Sequence, residues 1–118
     1  MSKHILIVED NEAIGDMLKL LFEDENTFQC TLARDSMEAI DYFKEIDPDL
    51  LLLDYLLPGM NGICLYDHLC KMKNQAMPSA IMISANLPYK DLAQRNISGI
   101  NKPFDWDLLL STILSKIA

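Results

Sequence analysis

Four consecutive leucines, Leu50 to Leu53, stand between Asp49 and Asp54, and Pro48 and Pro58-Gly59 bracket the stretch too closely for a helix. Leucine favours a helix on propensity alone. A short unbroken apolar run is nevertheless the pattern of a strand covered on both faces, which belongs inside a parallel sheet. Asp54 then stands at the carboxyl end of a central strand, the edge at which open α/β sheets bind ligands. A charge kept there requires a reason in the rest of the chain.

The remaining segments alternate around that strand. His4 to Glu9, centred on Ile5-Leu6-Ile7-Val8, and Ser79 to Ser84, with Ala80-Ile81-Met82-Ile83 inside, repeat the buried pattern. In Phe28 to Ala33, Phe28, Cys30 and Leu32 alternate with Gln29 and Thr31, as in a half-exposed edge strand, and Ile97 to Asn101 reads as a brief fifth strand. Helical spacing covers Glu12 to Asp24 through Ile14, Met17, Leu18, Leu21 and Phe22, before Asn26-Thr27 turns the chain. Asp35 with Glu38 three residues on reads as an N-cap for a helix through Ala39, Ile40 and Phe43 to about Ile46. Asn61-Gly62 opens a third helix through Ile63, Tyr66, Leu69 and Cys70 to about Lys73. Pro88 to Asn96 has room for only a short fourth helix around Leu92, and Asp105 to Ala118 forms the last through Trp106, Leu109, Leu110, Ile113, Leu114 and Ile117. Five alternations of strand and helix require right-handed crossovers. The predicted fold is α/β, a doubly wound five-stranded parallel sheet in the flavodoxin-like order 2-1-3-4-5 with a shortened fourth helix.

At 118 residues, half of them hydrophobic, residues 1–118 are expected to form one domain. A net charge of −8 argues against direct nucleic acid binding through the phosphates, so a DNA role would fall to a partner. No apolar run approaches the roughly 18 residues of a membrane span. Met1-Ser2-Lys3-His4 leads into structure without a signal-peptide pattern, so a cytoplasmic protein with no membrane partner is expected. Cys30, Cys64 and Cys70 lack CxxC spacing and read as reduced small hydrophobes in or near the core. His4 and His68 lack metal-ligand spacing and read as surface or packing residues.

In a parallel sheet all carboxyl ends share one edge, so Glu9, Asp10, Asp54, Ser84 and Lys102 converge there. Singly each has an ordinary role: Asp54 as a turn residue, Glu9 and Asp10 as helix caps, Ser84 and Lys102 as solvated groups. Together they form a constellation. Clustered carboxylates repel one another. A hard divalent cation resolves the repulsion, and Mg²⁺ prefers one or two carboxylates, retained waters and phosphate oxygens. A carboxylate can attack phosphorus to form an acyl phosphate, which makes Asp54 the candidate nucleophile. Glu9 and Asp10 would hold the metal, Lys102 would pair with a phosphoryl oxygen, and the Ser84 hydroxyl would donate to another.

The motifs themselves resemble a known family. Glu9-Asp10 after Ile-Leu-Ile-Val, Asp54 in Leu-Leu-Asp-Tyr-Leu-Leu-Pro-Gly-Met-Asn-Gly, Ser84-Ala85 after Ile-Met-Ile, and Lys102-Pro103-Phe104 together are similar to the receiver domain of two-component response regulators. The resemblance covers the whole chain. It implies a phosphorylation-dependent signalling domain rather than an enzyme, in which Asp54 accepts phosphate from a histidine kinase or histidine phosphotransfer protein. It further implies Mg²⁺ on Glu9, Asp10, Asp54 and the Leu56 carbonyl, a switch hydroxyl on Ser84, a backbone N–H donor at Ala85, and Lys102 as the family lysine. The output protein or domain stays unnamed, and the chain fits either a single-domain regulator or a receiver from a larger protein.

The sequence also departs from that family. An aromatic residue usually stands three positions before the lysine, where this chain has Gly99, and the 18 positions from Ser84 to Lys102 are fewer than is usual. Phosphorylation is therefore expected to act on Asn86 to Gly99 without an aromatic rotamer switch. Leu56, large and apolar, is expected to shield the acyl phosphate from water. A phosphatase of the haloacid dehalogenase type would need Asp where Leu56 stands. A flavodoxin-like cofactor protein would need a Gly/Ser/Thr phosphate loop after the first strand, and a pseudo-receiver is favoured only by the short fourth helix.

Overall fold

A computed structural model of the chain describes residues 3–24, 28–73 and 76–117. The turn expected at Asn26-Thr27 and the helix end expected at Ala118 lie outside those residues. The elements run β1 (Lys3–Val8), α1 (Glu12–Asp24), β2 (Phe28–Ala33), α2 (Ser36–Glu45), β3 (Leu50–Asp54), α3 (Gly62–Met72), β4 (Ser79–Ser84), α4 (Tyr89–Arg95), β5 (Ser98–Asn101) and α5 (Trp106–Ile117). All strand pairings are parallel, and the order is β2-β1-β3-β4-β5. β3 pairs on both sides, Leu52 with Ile7 and with Ile81.

The leucine run is unbroken because both faces of β3 are covered. Leu51 and Leu53 pack with Ala39, Ile40 and Phe43 of α2 and with Ile63, Leu65 and Leu69 of α3, and Leu92 of α4 joins them. Leu50 and Leu52 point the opposite way, into Leu18 and Phe22 of α1 and Leu109 and Ile113 of α5. All four leucines are buried, and each such side chain contributes about 1.5–3 kcal/mol of transfer free energy. β2 lies at the sheet edge, with Gln29 exposed and its central residues half-buried.

The helix starts follow their caps. Asn11 accepts the Ile14 N–H at 3.0 Å and caps α1, a role the sequence had left open to Glu9 and Asp10. Asp35 accepts the Glu38 N–H at 2.8 Å, and Glu38 reaches back to the Arg34 N–H at 2.9 Å, closing a box around the start of α2. Asn61 caps α3 at the Cys64 N–H, and Gly62 follows because a Cβ there would lie 2.6 Å from the Asp54 carbonyl oxygen. α4 ends where Asn96 takes the left-handed conformation, φ 57°, and the Ile97 N–H reaches the Leu92 carbonyl at 3.0 Å.

Several side chains differ from expectation. Met17 and Leu114 are exposed because the core stripes of their short helices narrow to Leu18 with Phe22 and Leu109 with Ile113, while Leu65, absent from the predicted stripe, is fully buried. Cys64 is exposed on α3 rather than near the core. Cys30 is half-buried and free, and burial, reinforced by Glu23, pushes its thiol up to about 12. His4 Nε2 lies 2.7 Å from Thr31 Oγ1, a packing role, and His68 is exposed. Among the described residues no helix is long and apolar enough to cross a membrane.

Candidate functional site

The predicted site residues lie at strand ends or within two residues of them. Glu9 and Asp10 come directly after β1, Asp54 closes β3, Ser84 closes β4, and Lys102 follows β5. Backbone bonds beyond the strand pairings hold these ends in register: Glu9 N–H to Ala33 O, Tyr55 N–H to Ile83 O and Lys102 N–H to Ser84 O, all at 3.0 Å. The site is thereby positioned by sheet rather than loop geometry.

The side chains converge as expected. Lys102 Nζ lies 3.0 Å from Glu9 Oε1 and 3.3 Å from Asp54 Oδ2. Carboxylate oxygens of Glu9, Asp10 and Asp54 fall within 4.8 Å of one another. Glu9, Asp54 and Ser84 are buried, whereas Asp10 is exposed. A 320 Å³ cavity at this edge is lined by Glu9, Asp10, Asp54, Leu56, Ser84, Ala85 and Lys102, together with Asn11 and Ile14.

The electrostatics follow from crowding. Burial, then the neighbouring Glu9, pushes the Asp54 carboxyl up to about 7, with Lys102 acting in the opposite direction. Burial lowers the Lys102 ammonium, but its hydrogen bond to Glu9 and the charges of Asp54 and Glu9 outweigh that effect, so its pKa is raised. Lys102 meets two of the three clustered carboxylates, Glu9 and Asp54, and the donor atoms of all three are hard oxygens. A small divalent cation fits such a set: it would offset the charge that makes Asp54 costly to ionise.

Some contacts at the site go beyond the sequence reading. Asn11 donates its N–H to Glu9 Oε2 at 3.1 Å while capping α1, so it anchors the acid whose other oxygen meets Lys102. The signal for it, an Asn just before the helical pattern, was present in the sequence. Ser84 Oγ accepts the Asn86 N–H at 3.1 Å, which ties the expected switch hydroxyl to the segment leading into α4. Gly99 sits outside the cavity, and the space a side chain would fill there is taken by Leu92 Cδ1 and Leu87 Cδ1, at 2.8 and 2.9 Å from an added Cβ.

The chain is similar to known proteins in sequence and in fold. The family model of the response regulator receiver domain matches residues 5–114. The phosphate regulon transcriptional regulatory protein PhoB of Escherichia coli K12 is 33% identical over 117 residues, covering 96% of this chain and 51% of that protein. The DNA-binding response regulator MtrA of Mycobacterium tuberculosis H37Rv is 30% identical over 122 residues, covering 99% of this chain and 51% of that protein. A crystal structure of a CheY-like response regulator receiver domain protein from Methanospirillum hungatei JF-1 superposes with a TM-score of 0.88 at 26% identity, covering 99% of this chain and 94% of that one.

The chain spans about half the length of these curated relatives. Their names correct the expectation of a partner set without nucleic acid, because MtrA is named as DNA-binding and PhoB as a transcriptional regulator. The charge argument described the surface of these residues alone and did not reach the other half of such proteins.

Proposed function

Because the chain belongs to the response regulator receiver domain family, a family of signalling domains, we propose that Asp54 is its phosphoacceptor and that residues 1–118 act as one unit whose interaction surface changes when Asp54 carries a phosphoryl group. The observation that carries this reading is the approach of Asp54 Oδ2 to 3.3 Å from Lys102 Nζ, beside Glu9 and Asp10 at the edge of the sheet.

The phosphodonor is a histidine kinase or a histidine phosphotransfer protein, and the setting is the cytoplasm. An Asp54 oxygen attacks phosphorus while the bond from phosphorus to the donor's imidazole nitrogen breaks. The imidazole leaves with the electron pair and takes up a proton from solvent. Glu9, Asp10, Asp54 and the Leu56 carbonyl would hold Mg²⁺, which when bound would supply charge neutralisation for the transferring group. Lys102 pairs with one phosphoryl oxygen, and the Ser84 hydroxyl and the Ala85 N–H donate to others. The domain catalyses only its own phosphorylation and dephosphorylation. An output protein or output domain reads the result, and the names of the half-matched relatives support transcription as that output.

Ser84 links the phosphate to the readout. Its oxygen already accepts the Asn86 N–H, so drawing the hydroxyl toward a phosphoryl group pulls on Asn86 to Gly99. The readout needs no aromatic side chain at Gly99.

Intact mass spectrometry tests the proposal. After incubation with Mg²⁺ and acetyl phosphate, wild type is expected to carry one phosphoryl adduct and Asp54→Asn none. No adduct on wild type with either acetyl phosphate or phosphoramidate would overturn the reading in favour of a pseudo-receiver that signals by constitutive binding.

A further inference from the structure

Among the described residues four polar or charged residues are buried, and three of them, Glu9, Asp54 and Ser84, line the cavity at the sheet edge. The fourth is Ser36, 4% exposed, in the first turn of α2. Its hydroxyl donates to the Met60 carbonyl at 2.9 Å, a contact between residues 24 positions apart. Met60 belongs to the β3–α3 connection, which leaves the site directly after Asp54 and carries Leu56.

That connection is hydrogen-bonded firmly at its base and sparsely elsewhere, where Leu57 is buried in the core and Met60 packs against it. Tyr55 bonds Ile83 through its N–H and Gly62 through its carbonyl, at 3.0 and 2.8 Å. Farther along, Gly59 takes a positive φ of 80° and the Met60 N–H bonds only to the nearby Pro58 carbonyl. Among the described residues, Ser36 is the one side chain from another element that hydrogen-bonds to residues 55–61. Its own footing is rigid, because Asp35 caps α2 and Glu38 returns to the Arg34 N–H.

We propose that Ser36 is a positioning residue for the phosphoryl-transfer site, fixing through Met60 the connection that presents the Leu56 carbonyl. The assignment rests on the function proposed above, in which that carbonyl is a Mg²⁺ ligand. Mg²⁺ tolerates little departure from octahedral geometry, so a connection free to wander weakens the metal before it affects the chemical step. Ser36 itself touches no reacting atom.

The test compares wild type with Ser36→Ala and Ser36→Gly, two substitutions that remove the hydroxyl with and without a methyl group. Calorimetric titration with Mg²⁺ alone, without phosphodonor, is expected to give a dissociation constant roughly tenfold higher in both variants. In chelator, amide exchange at Gly59 to Asn61 is expected to rise in both, with the sheet strands unchanged. The half-saturating Mg²⁺ concentration for phosphorylation by acetyl phosphate is expected to shift by the same factor, and the rate at saturating Mg²⁺ to match wild type. Equal Mg²⁺ affinity in all three proteins would overturn the role of Ser36 while leaving the proposed function intact. Failure of wild type itself to bind Mg²⁺ would overturn the function first.

Discussion

Lys102 Nζ lies 3.3 Å from Asp54 Oδ2 and only 3.0 Å from Glu9 Oε1, so one ammonium serves two buried carboxylates. Its charge does not fully compensate them, and burial together with Glu9 pushes Asp54 from 3.8 up to about 7. Between those two values the folded protein binds more protons at Asp54 than the unfolded chain does. This group therefore lowers stability as pH rises through the window, and the loss is complete above it. Asp54→Asn removes the titrating charge. In chelator at pH 8 the variant is expected to be more stable than wild type by about 2 kcal/mol, roughly half the full shift because a buried amide replaces the carboxyl. The gain should shrink toward zero near pH 4. Urea unfolding at the two pH values measures it, and a variant no more stable than wild type at pH 8 would mean that Lys102 balances the charge after all.

Gly99 allows Leu87 and Leu92 to close the space under β5. An added Cβ would meet Leu92 Cδ1 at 2.8 Å and Leu87 Cδ1 at 2.9 Å, both at the ends of flexible side chains. The neighbours can move, but both are buried and must leave their present packing to do so. Gly99→Ala is expected to lower stability by about 1–2 kcal/mol, the usual cost of overpacking. Amide exchange along α4 should rise with it. An unchanged urea midpoint would show that the two leucines repack freely.

The short α4 is clamped from outside the core as well. Arg95 donates Nε to Asp67 Oδ1 at 2.7 Å and Nη2 to Asp67 Oδ2 at 2.8 Å, joining α4 to α3 by a two-pronged bond. That bond, acting with the Arg95 charge, holds the Asp67 carboxyl below its usual range. A depressed carboxylate contributes stability above its unfolded value and loses it as pH falls through the lower folded value. Arg95→Gln at neutral pH and wild type in acid should therefore share one signature, severalfold lower amide protection over Leu92 to Asn96 once the intrinsic exchange rate at each pH is divided out. The global unfolding midpoint of Arg95→Gln should remain close to wild type, because the pair is partly solvated. Equal protection in α4 for Arg95→Gln at neutral pH, wild type in acid and wild type at neutral pH would remove the clamp from the account.

The sheet order and the convergence of Glu9, Asp10, Asp54, Ser84 and Lys102 were legible because both follow from chain order. Buried runs mark the central strands, alternation marks the β2 edge, and parallel strands bring their carboxyl ends to one side. Side-chain contacts between elements leave no such trace. Nothing local in Ser36 points to Met60, and nothing in Gly99 points to Leu87 or Leu92, because these pairings depend on how loops fold over the sheet edge. Met17 fits the helical stripe and is nevertheless exposed, while Leu65 lies off the predicted stripe and is buried. Periodicity gives the direction of a helical face, but the neighbouring element decides its width. The nucleic acid expectation failed for a different reason: charge describes the surface in hand, whereas the relatives named for DNA binding and for transcriptional regulation are about twice as long.

Leu56 lines the cavity two residues after Asp54, yet its side chain remains 66% exposed. An apolar group at the rim of the site can slow loss of phosphate in two ways. It excludes water from the acyl phosphate, and it offers no hydrogen bond to orient the water that does enter. Two substitutions separate these effects. Leu56→Ala shortens the side chain without adding polarity, and Leu56→Asn keeps much of the size while supplying a donor and an acceptor. If shielding dominates, both should lose phosphate faster than wild type. If the lack of an orienting group dominates, Leu56→Asn alone should, by about tenfold, less than the roughly 10²–10⁴-fold of a general base because an amide orients water without taking its proton. The side chain is too exposed for a complete seal, so the larger effect is expected from Leu56→Asn. Decay of the phosphoryl adduct, followed by intact mass after removal of the donor, reads both variants, and lifetimes within twofold of wild type for the pair would remove Leu56 from control of the phosphate.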